Sequence, residues 1–217
     1  MMQKNVYSIV LMDDVVAEVD RIAYHAGTSR SNMMNRILAE YTKTDTPEQR
    51  MQDIFAAVNT AIAQQNILQP MLSASDVMLN LRSALQYKYN PSVRYVLELY
   101  PHTGAQMGEL RVNLRTQNPN LLLCLTQFYR VWTKLESANL HGDARENTTE
   151  NGRYTRRLQT PQDSENVQTY GKTIANYVTL FDTCLKVFFE HVDNPSEALC
   201  ETEKIYKANL DTKTAEL

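Results

Sequence analysis

Cysteine is scarce: Cys124, Cys184 and Cys200 are an odd set, far apart, with no CxxC pair among them. That excludes a disulfide framework and a four-cysteine zinc site, and fits inert core thiols in a reducing, cytoplasmic compartment. Glycine (6) and proline (7) are too few for a collagen-like or low-complexity chain. No apolar run approaches the roughly 20 residues that a membrane helix needs, so no membrane partner is expected. The opening MMQKNVYSIVLMDD has one lysine and a short apolar run closed by two aspartates, unlike a secretory signal. The histidines, His25, His102, His141 and His191, stand apart with no HxH or HxxxH spacing. P-loop, GxGxxG, GxSxG and HExxH patterns are all missing. An enzyme, a metal site and a cofactor are therefore not expected. Nor does one sign of charge dominate: 22 Lys and Arg against 25 Asp and Glu leave −3. Any basic surface must be local.

What is present is apolar side chain, 43% of the residues, in periodic arrangement. The length fits one or two domains of roughly 100–200 residues each, and the patterns divide at the polar linker TKTDTP (42–47). The expected domains are 1–44 and 45–217. In the first, residues 5–11, NVYSIVL, are rich in β-branched and aromatic side chains and read as a short strand. Asp13 and Asp14 then suit a helix N-terminus. Val15, Val16, Val19, Ile22, Ala23 and Ala26 follow at helical spacing, and Gly27 fits the stop. Ser29 is a good N-cap for a second helix running to about Tyr41, with Met33, Met34, Ile37, Leu38 and Tyr41 as its apolar stripe.

The second domain reads as mostly helical. Residues 48–68 and 74–88 are expected helices split by Pro70. The period then changes. Val93, Tyr95, Leu97 and Leu99 alternate with Arg94, Val96 and Glu98, and Leu110, Val112 and Leu114 alternate with Glu109, Arg111, Asn113 and Arg115. This predicts one β-hairpin over about 92–116 with Tyr100 opposite Glu109. Its polar face carries Arg94, Arg111 and Arg115 against two glutamates; such a face could bind phosphate or an acidic partner, and a solvated face with a cross-strand ion pair is the more ordinary reading. Asn118-Pro119 opens a long helix with the stripe Leu122, Leu125, Phe128, Trp132 and Leu135. Residues 141–165 hold almost no aliphatic side chain and are expected to form a mobile loop. Within it Arg153, Arg156 and Arg157 gather beside Tyr154 as candidate accessory nucleic-acid contacts, since arginines with an aromatic can hold a backbone and stack on bases. Helices at 166–191 and 196–209 close the chain.

A seven-residue strand leaves its backbone groups unpaired, and two short helices cannot bury a core with it. A twofold partner solves both problems, the strand pairing with its copy under two helix pairs. In this order of elements, NVYSIVLMDDVVAEVDRIAYHAGTSRSNMMNRILAEY, about residues 4–42, resembles a ribbon-helix-helix domain of the Arc/CopG/MetJ superfamily. The fold class so expected is mainly α, a dimeric ribbon-helix-helix followed by a helical domain with one hairpin. The resemblance implies a two-stranded ribbon entering the DNA major groove. Tyr7, Ile9 and Leu11 would face the dimer core, while Lys4, Val6, Ser8 and Val10 would face the bases. Backbone N–H groups near Ser29, Arg30 and Ser31 would grip a phosphate. The chain departs from the family at Val6 and Val10, which offer bases only apolar contact. Residues 1–45 also carry five basic against six acidic side chains, 5 − 6 = −1, which leaves counterion release little to work with.

The function this implies is a sequence-specific DNA-binding transcriptional regulator of repressor type, a dimer or tetramer whose partners are double-stranded DNA and itself. Its C-terminal domain would oligomerise, sense a signal or recruit a protein partner. Two alternatives stand beside it: an accessory protein of plasmid or mobile-element DNA processing, in relaxosome assembly or partition, and a dimeric interaction scaffold that binds no DNA.

Overall fold

Helical spacing and strand alternation both shape this chain, and alternation reaches further than the sequence suggested. The computed structural model describes residues 6–44, 46–72, 75–100, 106–139, 147–150, 152–160 and 166–209. They form α1 (Asp13–His25), α2 (Arg30–Thr42), α3 (Pro47–Gln65), β1 (Gln69–Met71), β2 (Met78–Ala84), β3 (Ser92–Leu99), β4 (Gln106–Leu114), α4 (Pro119–Asn139), β5 (Asn147–Glu150), β6 (Arg153–Gln159), α5 (Val167–Glu190) and α6 (Pro195–Asn209). Two compact units meet in sequence at Arg50 and Met51, inside the first turns of α3.

In the N-terminal unit, Asp13 and Asp14 occupy the first turn of α1, where the helix dipole favours carboxylates. Gly27, at φ +64°, turns the chain, and Ser29 caps α2 by accepting from the Asn32 amide. The helices bury Val19, Ala23 and Met33, with Met34 packed alongside. Residues 6–12 are not a strand in the single chain. The strand expected over 5–11 is thus not present, because a lone extended segment has no neighbour to receive its hydrogen bonds.

The C-terminal unit overturns the expectation of a mainly α chain with one hairpin. Its six strands form one antiparallel sheet in the order β1-β2-β3-β4-β6-β5. One face is covered by α3, α4 and α5, with α6 packed on α4 and α5; their Ile54, Val58, Phe128, Trp132, Phe181 and Tyr206 join Leu81, Tyr95, Leu97, Leu110, Val112 and Tyr154 in a single core. The other face carries the alternate side chains. Two expectations fail here for one reason, a period of two. Residues 74–88 contain β2 rather than a helix: Leu79, Leu81 and Ser83 point inward and Arg82 and Ala84 outward. The segment 141–165 contains β5 and β6 rather than a mobile loop, with Tyr154, Arg156 and Leu158 inward; the rest of it, apart from Gly152 and Thr160, lies outside the described residues. The β3–β4 register is also two residues from the expected one, with Glu98 opposite Glu109 and Arg94 opposite Asn113. A two-residue slip keeps every side chain on its own face.

Two polar clusters lie within this core. Glu136 on α4 pairs with Arg156 on β6, both almost fully buried. Tyr154 Oη donates to Glu136 Oε2 at 2.6 Å and Tyr177 Oη to Oε1 at 2.8 Å. Asn147 donates at 2.5 Å, and the Arg156 guanidinium lies 4.2 Å from the Tyr177 ring centroid. Burial first, then Tyr177 and Glu136 beside it, pushes the Tyr154 phenol well above its ordinary value. The second cluster centres on Asp182, which accepts from Ser83 (3.0 Å) and Tyr95 (2.7 Å) and pairs with Lys186 at 2.7 Å. Each cluster ties α5 to the sheet, and satisfied partners are what make such burial tolerable.

Candidate nucleic-acid interface

The residues expected to face bases occupy the segment before α1. Val6 and Val10 are fully exposed, and Ser8 is exposed between them; Lys4 lies outside the described residues. The alternate residues are progressively more covered toward the helices, from Tyr7 (79% exposed) through Ile9 (60%) to Leu11 (38%). Beside them Val15, Ile22, Ile37, Leu38 and Tyr41 are also exposed on α1 and α2. Single exposed apolar residues are ordinary, but this many on so small a unit are not.

Ser29, Arg30 and Ser31 are together at the exposed start of α2. Arg30 is not pointed outward alone. Its Nε donates to Asp20 Oδ1 at 2.6 Å and its Nη2 engages the other carboxylate oxygen, which holds the Asp20 carboxyl below the usual carboxylate range. That pair uses the Nε and Nη2 edge of the guanidinium and leaves Nη1 for any contact with a phosphate.

The three loop arginines are separated by the sheet. Arg156 is removed from solvent altogether by its pairing with Glu136. It is not an accessory nucleic-acid contact, because residues two apart share a sheet face and adjacent ones do not. Arg153 and Arg157 are on the open face, Arg153 opposite Asn113 and Arg157 opposite Glu109. Of the hairpin arginines, Arg111 bonds Glu98 and also approaches Glu109 at 3.2 Å. Arg94 and Arg115 are exposed. Sequence reasoning missed Arg82, because β2 was read as a helix, and Tyr89, in the loop that follows. The signal for Arg82 was available in the alternation of Leu79, Leu81 and Ser83.

Among the described residues no group of three or more His, Cys, Asp or Glu is gathered to hold a metal ion, and no helix is long and apolar enough to cross a membrane. Comparison of the chain with protein-family models, with curated proteins and with solved structures finds no match.

Proposed function

We propose that the chain is a cytoplasmic, dimeric, sequence-specific DNA-binding regulator whose N-terminal segment pairs with its copy and enters the major groove of duplex DNA, as its resemblance to ribbon-helix-helix proteins implies. One observation carries the reading: an exposed segment, 6–12, apolar at every position but Ser8, precedes two helices that bury only Val19, Ala23 and Met33. So small a core does not stabilise some 40 residues alone. A second copy would supply both the missing backbone partner for the segment and a cover for Tyr7, Ile9 and Leu11.

The test is a selection of bound sequences from a random duplex pool with the full-length chain at two salt concentrations, beside its mass in solution. A dimer that enriches paired short half-sites supports the reading. A monomer, or no enrichment at either salt, refutes it. Ser8→Ala should then cost up to about 1–3 kcal/mol of discrimination per half-site, since Ser8 is the one hydrogen-bonding side chain among Val6, Ser8 and Val10. A second reading, a dimeric scaffold that binds no DNA, is favoured by the Arg30–Asp20 pair and by the two valines. It expects a dimer without enrichment.

A further inference from the structure

The open face of the sheet carries a row of side chains at one level across successive strands: Gln69 on β1, Arg82 on β2, Arg94 on β3, Asn113 on β4 and Arg153 on β6. Arg82 and Arg94 are direct cross-strand partners, and all three arginines are exposed. Like charges placed directly opposite destabilise a sheet. Arg82 Nε donates to the neutral Gln69 Oε1 at 3.1 Å, and neither Arg82 nor Arg94 forms an ion pair with a described residue. Two of the acidic residues of this face lie elsewhere: Glu98 and Glu109 share a level four residues along the strands, where both meet Arg111. The third, Glu150 on β5, ends the row itself, opposite Arg153. Positive charge is therefore collected at the β2–β3–β4 end, which Arg115 extends, exposed just past β4.

A second observation lies at the same end. The loop joining β2 to β3 holds Tyr89 almost wholly exposed at φ +68°, a backbone conformation costly for a tyrosine. The loop is built rather than loose: Leu85 N–H donates to Pro91 O at 2.9 Å and Asn90 N–H to Tyr87 O at 2.8 Å. Lys88, also exposed, precedes the tyrosine. An aromatic ring held out beside a line of guanidinium groups is the pairing that single-stranded nucleic acid uses, phosphates on cations and a base on the ring. A duplex keeps its base faces stacked inside and has none to offer Tyr89.

We propose that this face binds single-stranded nucleic acid, its phosphates on Arg82, Arg94, Arg115 and Arg153 and one base stacked on Tyr89. The surface belongs to one copy of the chain and does not depend on how the N-terminal segment pairs. The experiment titrates the full-length chain against a labelled oligothymidine of about 15 nucleotides and against a mixed-sequence duplex, following anisotropy over a range of salt. Arg82→Gln, Arg94→Gln and Arg153→Gln together should weaken the oligonucleotide about tenfold or more and flatten its salt slope by about 2, at roughly 0.7 per phosphate. Tyr89→Ala should weaken it about fivefold or more with the slope unchanged. A control of equal charge, Arg130→Gln, Lys172→Gln and Lys204→Gln on exposed helix positions, should stay within about twofold of the parent. Thermal melts of every variant report folding. Equal losses in the two triple variants, no loss in the first, or a duplex bound more tightly through the same arginines would each overturn the proposal. Failure of the N-terminal reading shows separately, as a duplex pool without enrichment.

Discussion

Removing the Arg156 side chain tests how the C-terminal unit is held together. In Arg156→Leu the Glu136 carboxylate stays buried with three neutral donors, Tyr154, Tyr177 and Asn147, and without its counter-charge. Breaking a buried pair on one side costs about 3–5 kcal/mol. A charge pair at about 4 Å with an effective dielectric near 20 gives about 4 kcal/mol by an independent route. The three remaining donors favour the lower half of the range, so a loss of about 3–4 kcal/mol is expected. At about 2–4 °C per kcal/mol for a unit of this size, the melting temperature should fall by roughly 6–16 °C. Glu136→Leu with Arg156→Leu should lose less than Arg156→Leu alone, because it leaves no buried charge and lets Tyr154 and Tyr177, whose hydroxyls are 3.1 Å apart, bond each other. The fluorescence of Trp132, the one tryptophan, reads the right region, since its indole donates to Tyr177 at 3.1 Å. Urea and thermal unfolding followed at that residue give the free energies. A single variant within about 1 kcal/mol of the parent, or single effects that simply add in the double, would refute the account.

Gly171 on α5 is crossed so closely by α3 that a methyl group would stand 2.5 Å from Ala57 Cβ and 3.0 Å from the Ile54 carbonyl oxygen. A contact this short puts the overpacking in the upper part of its range, about 2–3 kcal/mol, and a helix-propensity gain near 1 offsets it, so Gly171→Ala should destabilise by about 1–2 kcal/mol; Ala57→Gly in the same chain should recover most of it in a melt. The Tyr95, Tyr129, Tyr154 and Tyr177 phenols are all raised by burial above the ordinary value of 10. A raised native pKa gives stability that is whole below pH 10 and lost as pH climbs beyond it. Urea midpoints should fall above pH 10, and tyrosinate absorbance should show these four ionising only as the unit unfolds; early ionisation of all tyrosines would contradict their burial. Burial also pushes the Cys184 thiol up to about 12, while Cys200 is exposed. A disulfide reagent at neutral pH should label Cys200 first and Cys184 only on unfolding, as peptide mapping would show.

The sequence by itself determined the elements whose side chains repeat one period without interruption. α4, α5 and α6 are legible because leucines and aromatics recur at helical spacing, and β3 and β4 because theirs alternate. It also determined which residues of the hairpin face inward, since a strand's parity survives the two-residue slip in register that moved Glu98 opposite Glu109. The tertiary structure alone decided the sheet. β6 was illegible because its inward residues are Tyr154, Arg156 and Leu158, and an arginine counts as polar in any pattern until its buried carboxylate is known. That carboxylate, Glu136, lies 20 residues away on α4. The same dependence governs the candidate site. Arg82, Arg94 and Arg153 are strangers in sequence and become one row only when β2, β3, β4 and β6 hydrogen-bond in register. Spacing along the chain records local periodicity; the neighbours of a strand are set by backbone pairing between distant segments, which leaves no mark on either segment alone.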